Sequence, residues 1–451
     1  MKITLVQPAM GRDSEKFVES WKMEPLSMAV LAGLTPQEHE VRFFDDRVEK
    51  VDYDAPADLV AISAETYTAR RAYQIAARFR RRGVPVIIGG YHATLVPDEV
   101  GRFADSVMVG EAEGAWGGIL ADARKGALQP VYHSGDRPDV YSVRPDRTIF
   151  KGKKYMPLTL VESGRGCHFA CEFCSVTSYF DRRFSVRPAK EVAGEIESTG
   201  RKRVFLVDDN LTTDFDRAKG LFREIAPLNI QWISQATIKS SEDPELLRLA
   251  EKSGCVAILI GFESLDEQTL SAMNKPFNKG ASRFAEGLAK LRDHGIKIYA
   301  TFVFGYDTDT PDLFKRTLDF AMEQKFFVTA FNHMQPFPGT PLYKRMEDEG
   351  RMLYDKWWLE PEYRFGRIAF RPKNMSPEEL YDRLMDTRRK YFSWSSILKR
   401  ATDFKANMNG LNSFWYYGFT NWLLRRELNE KWVTPLGDLS EPDPLSEPDP
   451  G

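Results

Sequence analysis

Three cysteines stand close together in the run Cys167-His168-Phe169-Ala170-Cys171-Glu172-Phe173-Cys174, with the spacing C-x3-C-x2-C. Thiolates are soft ligands that suit iron–sulfur clusters and zinc. A short loop lets all three reach one small inorganic centre. On a four-iron cube, three ligands leave one iron open to a reactant. A closed structural zinc site needs a fourth ligand, for which His168 and Cys255 are available. The chain has four cysteines in all, too few and too clustered for a disulfide framework.

The loop must be held by something larger. At 451 residues the chain is long enough for two to four domains. Hydrophobic residues make up 42% and charged residues 28%, the balance of a globular protein. A formal net charge of -2 gives no sign of a nucleic-acid binder or a basic membrane-surface protein. No run of about 18 apolar residues predicts a membrane span. The N-terminus leads straight into a strand pattern with no leader-like segment, which predicts a cytoplasmic protein.

The pattern predicts an α/β protein. Short apolar runs such as Leu59-Val60-Ala61-Ile62 and Val86-Ile87-Ile88 read as buried parallel strands. They alternate with helical segments and predict a doubly wound, Rossmann-like domain over 1–125. Residues 126–156, broken by Pro130, Gly135, Pro138, Pro145 and Gly152, read as a linker. Six further βα steps over 157–341 predict a partial (β/α)6 TIM-type barrel, smaller than the full eightfold one. Residues 342–436 read as a mainly helical region rich in Trp. Ser376-Pro377-Glu378-Glu379 is a helix start within it. The acidic, proline-rich repeat over 437–451 predicts a disordered tail.

The cysteine spacing, its place after the first barrel strand and Phe173 before the third cysteine resemble the radical S-adenosylmethionine (SAM) superfamily. The resemblance implies that Cys167, Cys171 and Cys174 hold a [4Fe–4S] cluster. It also implies that SAM chelates the open iron through its amino and carboxylate groups. One electron, from a donor such as flavodoxin or ferredoxin, then cleaves a carbon–sulfur bond of SAM to a carbon radical, usually 5′-deoxyadenosyl. Polar residues at the carboxyl ends of barrel strands point into the mouth. By the resemblance, Asp209, Gln235, Glu263 and Ser264 contact SAM beside Phe173, and Gly305 lets the backbone approach adenine. Each polar residue could equally be a strand-end cap.

The runs Gly89-Gly90-Tyr91-His92-Ala93-Thr94 and Gly110-Glu111 resemble the cobalamin (B12)-binding domain that often precedes such a barrel. That makes cobalamin a candidate second cofactor, with Tyr67, Gly89, Gly90, His92, Thr94, Gly110 and Glu111 as candidate contacts. The chain lacks the D-x-H-x-x-G pattern that supplies a histidine ligand to cobalt, as do many relatives that bind cobalamin. His92 could equally be a structural histidine.

The expected function is transfer of an alkyl group of SAM to a small-molecule substrate, a methyl group if cobalamin binds. A second reading drops cobalamin and moves the 3-amino-3-carboxypropyl group of SAM to trivalent arsenic, as the radical SAM enzyme of arsinothricin biosynthesis does. A third is a non-catalytic metal-bound scaffold. Trp357, Trp358 and Tyr363 either line a substrate pocket or simply pack, and the C-terminal region is expected to close the barrel mouth. Cys255, followed by Val256-Ala257-Ile258-Leu259, reads as a buried strand residue.

Overall fold

The computed structural model describes residues 1–12, 22–135, 143–275, 278, 281–428 and 434–446. Its first layer is a six-stranded parallel sheet. The strands run in the spatial order Glu40–Asp45, Lys2–Gln7, Leu59–Ser63, Val86–Gly89, Ser106–Val109 and Val131–His133. Continuous apolar runs form the central strands because both faces are covered: Val60, Ile62, Val86 and Ile88 pack on one side, Leu59, Ala61 and Ile87 on the other. Chain order reverses between Lys2–Gln7 and Leu59–Ser63. Such a reversal opens a crevice at the carboxyl ends of the strands, where doubly wound folds take their ligands.

The second layer is also six-stranded and parallel. Its strands follow in simple succession: Thr159–Val161, Arg203–Leu206, Gln231–Ala236, Cys255–Glu263, Lys297–Phe304 and Val328–His333. Helices between them are started by side-chain caps. Asp214 accepts from Arg217 N–H, Asp243 from Leu246 N–H and Asp266 from Thr269 N–H. Along Gln231–Ala236 the alternation buries Trp232, Ser234 and Ala236 and leaves Ile233 and Gln235 half-buried on the other face. The outer face joins a core rich in phenylalanine: Phe262 stacks near Phe302, with ring centroids 5.6 Å apart. Each such fully buried ring contributes about 2 kcal/mol from its apolar area.

Two boundaries differ from the sequence expectation. Val131–His133 lies in the expected linker yet pairs with Ser106–Val109 as the sixth strand of the first sheet. The expected disordered tail is placed from its start: Gly437–Asp438 pairs in parallel with Gly11–Arg12. Side chains explain this second correction. Gln74 Nε2 donates to the Asp438 carbonyl at 2.8 Å. Glu441 and Asp443 meet Arg78 and Arg70 at 3.3 and 3.6 Å. The acidic repeat thus has a cationic helix to lie against; residues 447–451 fall outside the described part.

The C-terminal region carries the helices Pro341–Asp348, Pro377–Tyr391, Trp394–Ala401 and Leu411–Glu427. Ser376 caps the second of them through Glu379 N–H, with Pro377 at the first helical position. The stretch between the first two has no helix of its own and wedges Trp357, Trp358 and Tyr363, all fully buried, against the first layer. These three aromatics therefore pack.

Candidate active site

The cysteine loop leaves the barrel through a short antiparallel pairing of Gly164–Gly166 with Phe184–Val186. Gly166 has φ +84°, and a Cβ there would sit 2.0 Å from the Arg183 carbonyl oxygen, so only glycine makes this turn. Asp209 Oδ2 accepts from the Gly166 N–H at 2.8 Å and sets the entry to the loop. Farther along, Asn274 Nδ2 donates to the Ala170 carbonyl at 2.7 Å, and Glu172 N–H to Met273 O at 3.1 Å. The Glu172 carboxylate takes a two-point contact from Arg345, at 2.6 and 3.2 Å. Five backbone or side-chain ties fix a loop with almost no regular structure.

The three thiols are free and share one environment. Burial pushes Cys171 up to about 12, against the pull of Lys275; the charges of Cys174, Glu263 and Cys167 push the same way as burial. Burial also raises Cys167, with Cys174 and Asp209 adding to the effect. Without metal Cys167 and Cys171 thus hold their protons, which an electropositive centre must displace. Among the described residues no three His, Cys, Asp or Glu side chains form a site for a single ion. A cube takes its thiolates at separate corners and does not need that convergence. Phe173 packs against the barrel core and so backs the loop.

Around the loop lie the ends of the barrel strands. Glu263 has φ +63° and sits at a register shift after Gly261, which turns its carboxylate back onto Lys275 at 2.7 Å. Both members of this pair are buried. Ser264 is buried next to them and its Oγ accepts from Asp266 N–H at 3.1 Å. Gln235 is half-buried and its carbonyl accepts from Leu211 N–H. Gly305 corrects an expectation: a Cβ there would meet Phe370 and Leu380 at 2.9 Å, and its N–H is bound to Asp309. The C-terminal region covers this glycine, so no adenine ring approaches it from that side.

Sequence reasoning missed Lys275, Tyr306 and Asn210. Tyr306 is 2% exposed, its hydroxyl has no partner, and Glu172, Cys171 and Glu263 all act on it. Asn210 Nδ2 is buried and meets the Cys167 thiol, whose thiolate form its hydrogen bond favours. A buried polar atom left open costs about 1–3 kcal/mol unless something meets it. The open Tyr306 hydroxyl beside the thiol loop fits a polar ligand there. Asn210 and Tyr306 stand four and two residues past the ends of Arg203–Leu206 and Lys297–Phe304, and that strand-exit position is the sequence signal that could have found them.

The first layer meets this loop. Tyr91 stacks on Tyr179 with centroids 4.4 Å apart, and the Asp209 and Cys174 charges both reach its phenol. Arg165 Nη1 contacts Glu111 and Glu113 at 2.7 Å each, while Nε and Nη2 contact Glu162 at 2.9 and 2.6 Å. One cation cannot neutralise three carboxylates. Burial, helped by Asp208 and Glu113, therefore raises Glu162 to about 7 despite Arg165. At the exit of Leu59–Ser63, burial pushes the Glu65 carboxyl up against the pull of Arg47. The carboxyl ends of both sheets thus meet at these contacts.

The candidate cobalamin contacts fall into two groups. Tyr67, Gly89, Gly90, Thr94, Gly110 and Glu111 are half-buried at strand exits of the first sheet. Thr94 Oγ1 donates to Gly90 O at 3.0 Å and accepts from Gly110 N–H at 2.9 Å, tying two exits together. Tyr67 packs against Phe337, Trp357 and Phe365. His92 is fully buried. Its Nδ1 meets Thr66 at 3.3 Å, and its Nε2 meets Tyr73 and Glu99 at 3.1 Å. Neither nitrogen is left for a ligand, which corrects its candidacy as a side-chain contact.

Known proteins share this arrangement. The model of the radical SAM superfamily matches residues 161–321, and that of the B12 binding domain matches residues 21–120. The chain is 30% identical to bacteriochlorophyllide d C-12(1)-methyltransferase of Chlorobaculum tepidum, over 94% of this chain and 93% of that one. The chain belongs to the radical SAM superfamily, in the branch that carries a B12-binding domain. This radical SAM chain is also 27% identical to the bacteriochlorophyllide d C-8(2)-methyltransferase of the same organism, over 83% of this chain and 87% of the other. Its fold matches the methyltransferase TsrM of Kitasatospora setae with a TM-score of 0.65 at 15% identity, covering 95% of this chain and 99% of TsrM. It matches the radical enzyme OxsB with a TM-score of 0.68 at 14% identity, covering 95% of this chain and 72% of OxsB. Membership makes the chain an enzyme that works with a [4Fe–4S] cluster and SAM. No helix among the described residues is long and apolar enough to cross a membrane.

Proposed function

We propose that this radical SAM enzyme is a cobalamin-dependent methyltransferase that acts on an unactivated carbon of a bulky, mainly apolar small molecule. The observation that carries the reading is the meeting of the two sheets' carboxyl ends. There the cysteine loop and the glycine-bearing exits of the first sheet are bridged by Tyr91–Tyr179 and by Arg165. The B12-domain match and the methyltransferase relatives support the same reading. Residues 1–135 form the cobalamin domain, 157–341 the barrel, and the region from 342 onward packs the two together.

In this reading Cys167, Cys171 and Cys174 hold the cluster, and Phe173 backs it. Tyr67, Gly89, Gly90, Thr94, Gly110 and Glu111 form the cobalamin wall. When bound, the cluster supplies the electron that splits a carbon–sulfur bond of SAM, and cobalamin supplies the methyl carrier. The chain's own residues do the rest. Tyr306 and Asn210 donate hydrogen bonds to SAM, beside Gln235, Ser264 and the Glu263–Lys275 pair. Asp209 keeps the loop entry in place. Glu162, protonated near neutrality, lets the cleft wall hold three carboxylates around one arginine.

The substrate enters the barrel interior, where Ile233, Leu259, Val303 and Ala330 are half-buried on the lumen side of their strands. A cavity wall of this kind selects apolar bodies and fixes them with few polar groups, here Gln235, Thr301 and Asn332. A flavodoxin- or ferredoxin-type donor in the cytoplasm provides the electron. Transfer of the 3-amino-3-carboxypropyl group finds less support, because Cys255, the one thiol outside the loop, is buried in a strand.

Anaerobic reconstitution with iron and sulfide, with and without cobalamin, tests the reading. The expected outcome is cobalamin-dependent formation of 5′-deoxyadenosine and S-adenosylhomocysteine with a methylated apolar acceptor. Methylthioadenosine as the main product, formed equally without cobalamin, would sink it.

A further inference from the structure

The helix Leu411–Glu427 is inside out. The side chains it turns toward the protein are Ser413, Tyr417 and Asn421, spaced one turn apart and buried. Tyr417 donates to the Ile397 carbonyl at 2.6 Å, and Asn421 Nδ2 to the Phe327 carbonyl at 3.3 Å. Its outer side carries Leu411, Phe414, Trp415, Phe419 and Trp422, all exposed, with Trp415 at 71% and Phe419 at 61%. The neighbouring helix Trp394–Ala401 adds exposed Trp394 and Leu398. Arg425 lies 5.3 Å over the Trp394 ring and joins the two helices into one face. An ordinary surface helix buries its apolar stripe and exposes its polar one. The reversal here is a contiguous apolar patch, and such patches mark binding surfaces.

The charge of the same region selects what binds. From Arg388 through Glu427 the chain has eight Lys and Arg residues against two acidic ones, Asp403, which is buried, and Glu427; Arg388 and Arg400 are themselves buried, and Lys390 and Lys405 pair with Asp386 and Asp293. Arg389, Lys399 and Arg426 are exposed. The whole chain averages to -2 and hides this local excess. We propose that this face docks on an anionic lipid surface. Trp, Phe and Leu enter the boundary between headgroups and acyl chains, with Lys and Arg meeting the lipid phosphates. The helix is about 26 Å long by its rise per residue and lies flat in the interface. A second copy of the chain fits less well. A two-fold contact sets a patch against itself and would bring cation against cation.

Docking leaves the cleft free. The helix packs on Phe327, which enters the strand Val328–His333 at its amino end, whereas the cysteine loop sits at the carboxyl ends. The surface therefore approaches the barrel from the side opposite the mouth.

Flotation of the full-length protein with vesicles of phosphatidylcholine alone, or mixed with phosphatidylglycerol, tests the proposal. The protein is expected to float with the phosphatidylglycerol vesicles and to be released by high salt. Replacing Leu411, Trp415 and Phe419 by Ser should weaken binding about 100-fold. Lys399→Glu with Arg426→Glu should weaken it about tenfold. Iron content and SAM cleavage in solution should stay unchanged in both variants, which controls for folding. Three outcomes overturn the proposal: no flotation, equal flotation of both variants, or a dimer that the Ser variant dissociates while vesicles bind nothing.

Discussion

Both sheets end their strands in polar residues at the same cleft, but the two sets of side chains are in different states. In the first sheet they are bound to protein. His92 has partners at both nitrogens, Glu99 gathers His92, Tyr73, Trp358 and Lys356, and Thr94 spans two glycines. In the barrel, Tyr306 keeps a buried hydroxyl without a partner, and Asn210 turns its buried amide to the Cys167 thiol. A polar group satisfied by protein builds a rigid wall, and one left open waits for a ligand. The first sheet thus offers a ligand mainly backbone and apolar surface. The barrel offers hydrogen-bonding groups and thiols.

Five experiments would break or sharpen this contrast. Replacing Cys167, Cys171 and Cys174 by Ala should have the largest effect: iron bound after reconstitution falls to background and SAM cleavage disappears. Retained iron and SAM cleavage would remove the barrel's half of the contrast. Next is Lys275→Met, which strands the buried Glu263 carboxylate and should lower stability to denaturant by about 3–5 kcal/mol. Adding Glu263→Met should return most of that stability without restoring SAM cleavage. A double variant with normal cleavage would make the pair purely structural.

His92→Ala should cost about 2–3 kcal/mol while leaving cobalamin content per folded protein unchanged. Loss of cobalamin at full stability would put this histidine in the site after all. The same network gives a pH signature. Burial pushes the Glu99 carboxyl up, but hydrogen bonds from His92, Trp358 and Lys356 outweigh it and hold the group down to about 2. A depressed carboxylate contributes its full stability above its unfolded pKa, here 4.5, and loses it as pH falls from there toward 2. Tryptophan fluorescence should report Trp358 loosening over that window, and Glu99→Gln should flatten the response. The smallest effect is expected for Tyr306→Phe, about tenfold weaker SAM binding with no loss of stability, since the hydroxyl has no protein partner. Unchanged SAM affinity would show the orphaned hydroxyl to be incidental.

Much of the fold was legible because buried parallel strands write themselves as short apolar runs. Gln231–Ala236 and Val328–His333 stand where alternation and β-branched residues put them, and helix Ala189–Ser198 follows its apolar spacing. Ser376 announced its helix through local capping chemistry. The acidic tail misled because its partners, Arg70, Arg78 and Gln74, lie more than 350 residues earlier. Composition cannot see a partner that distant. Gly305 misled because the residues that cover it, Phe370 and Leu380, arrive from another region.

The sequence by itself determined the thiol spacing, the two βα series and the glycine-bearing strand exits, because each depends on neighbours within a few residues. Only the tertiary structure decided that His92 is satisfied, that the Tyr306 hydroxyl is not, and that the helix Leu411–Glu427 turns its aromatics outward. Those outcomes depend on which distant groups arrive to cover or complete a side chain, and a one-dimensional pattern carries no term for that.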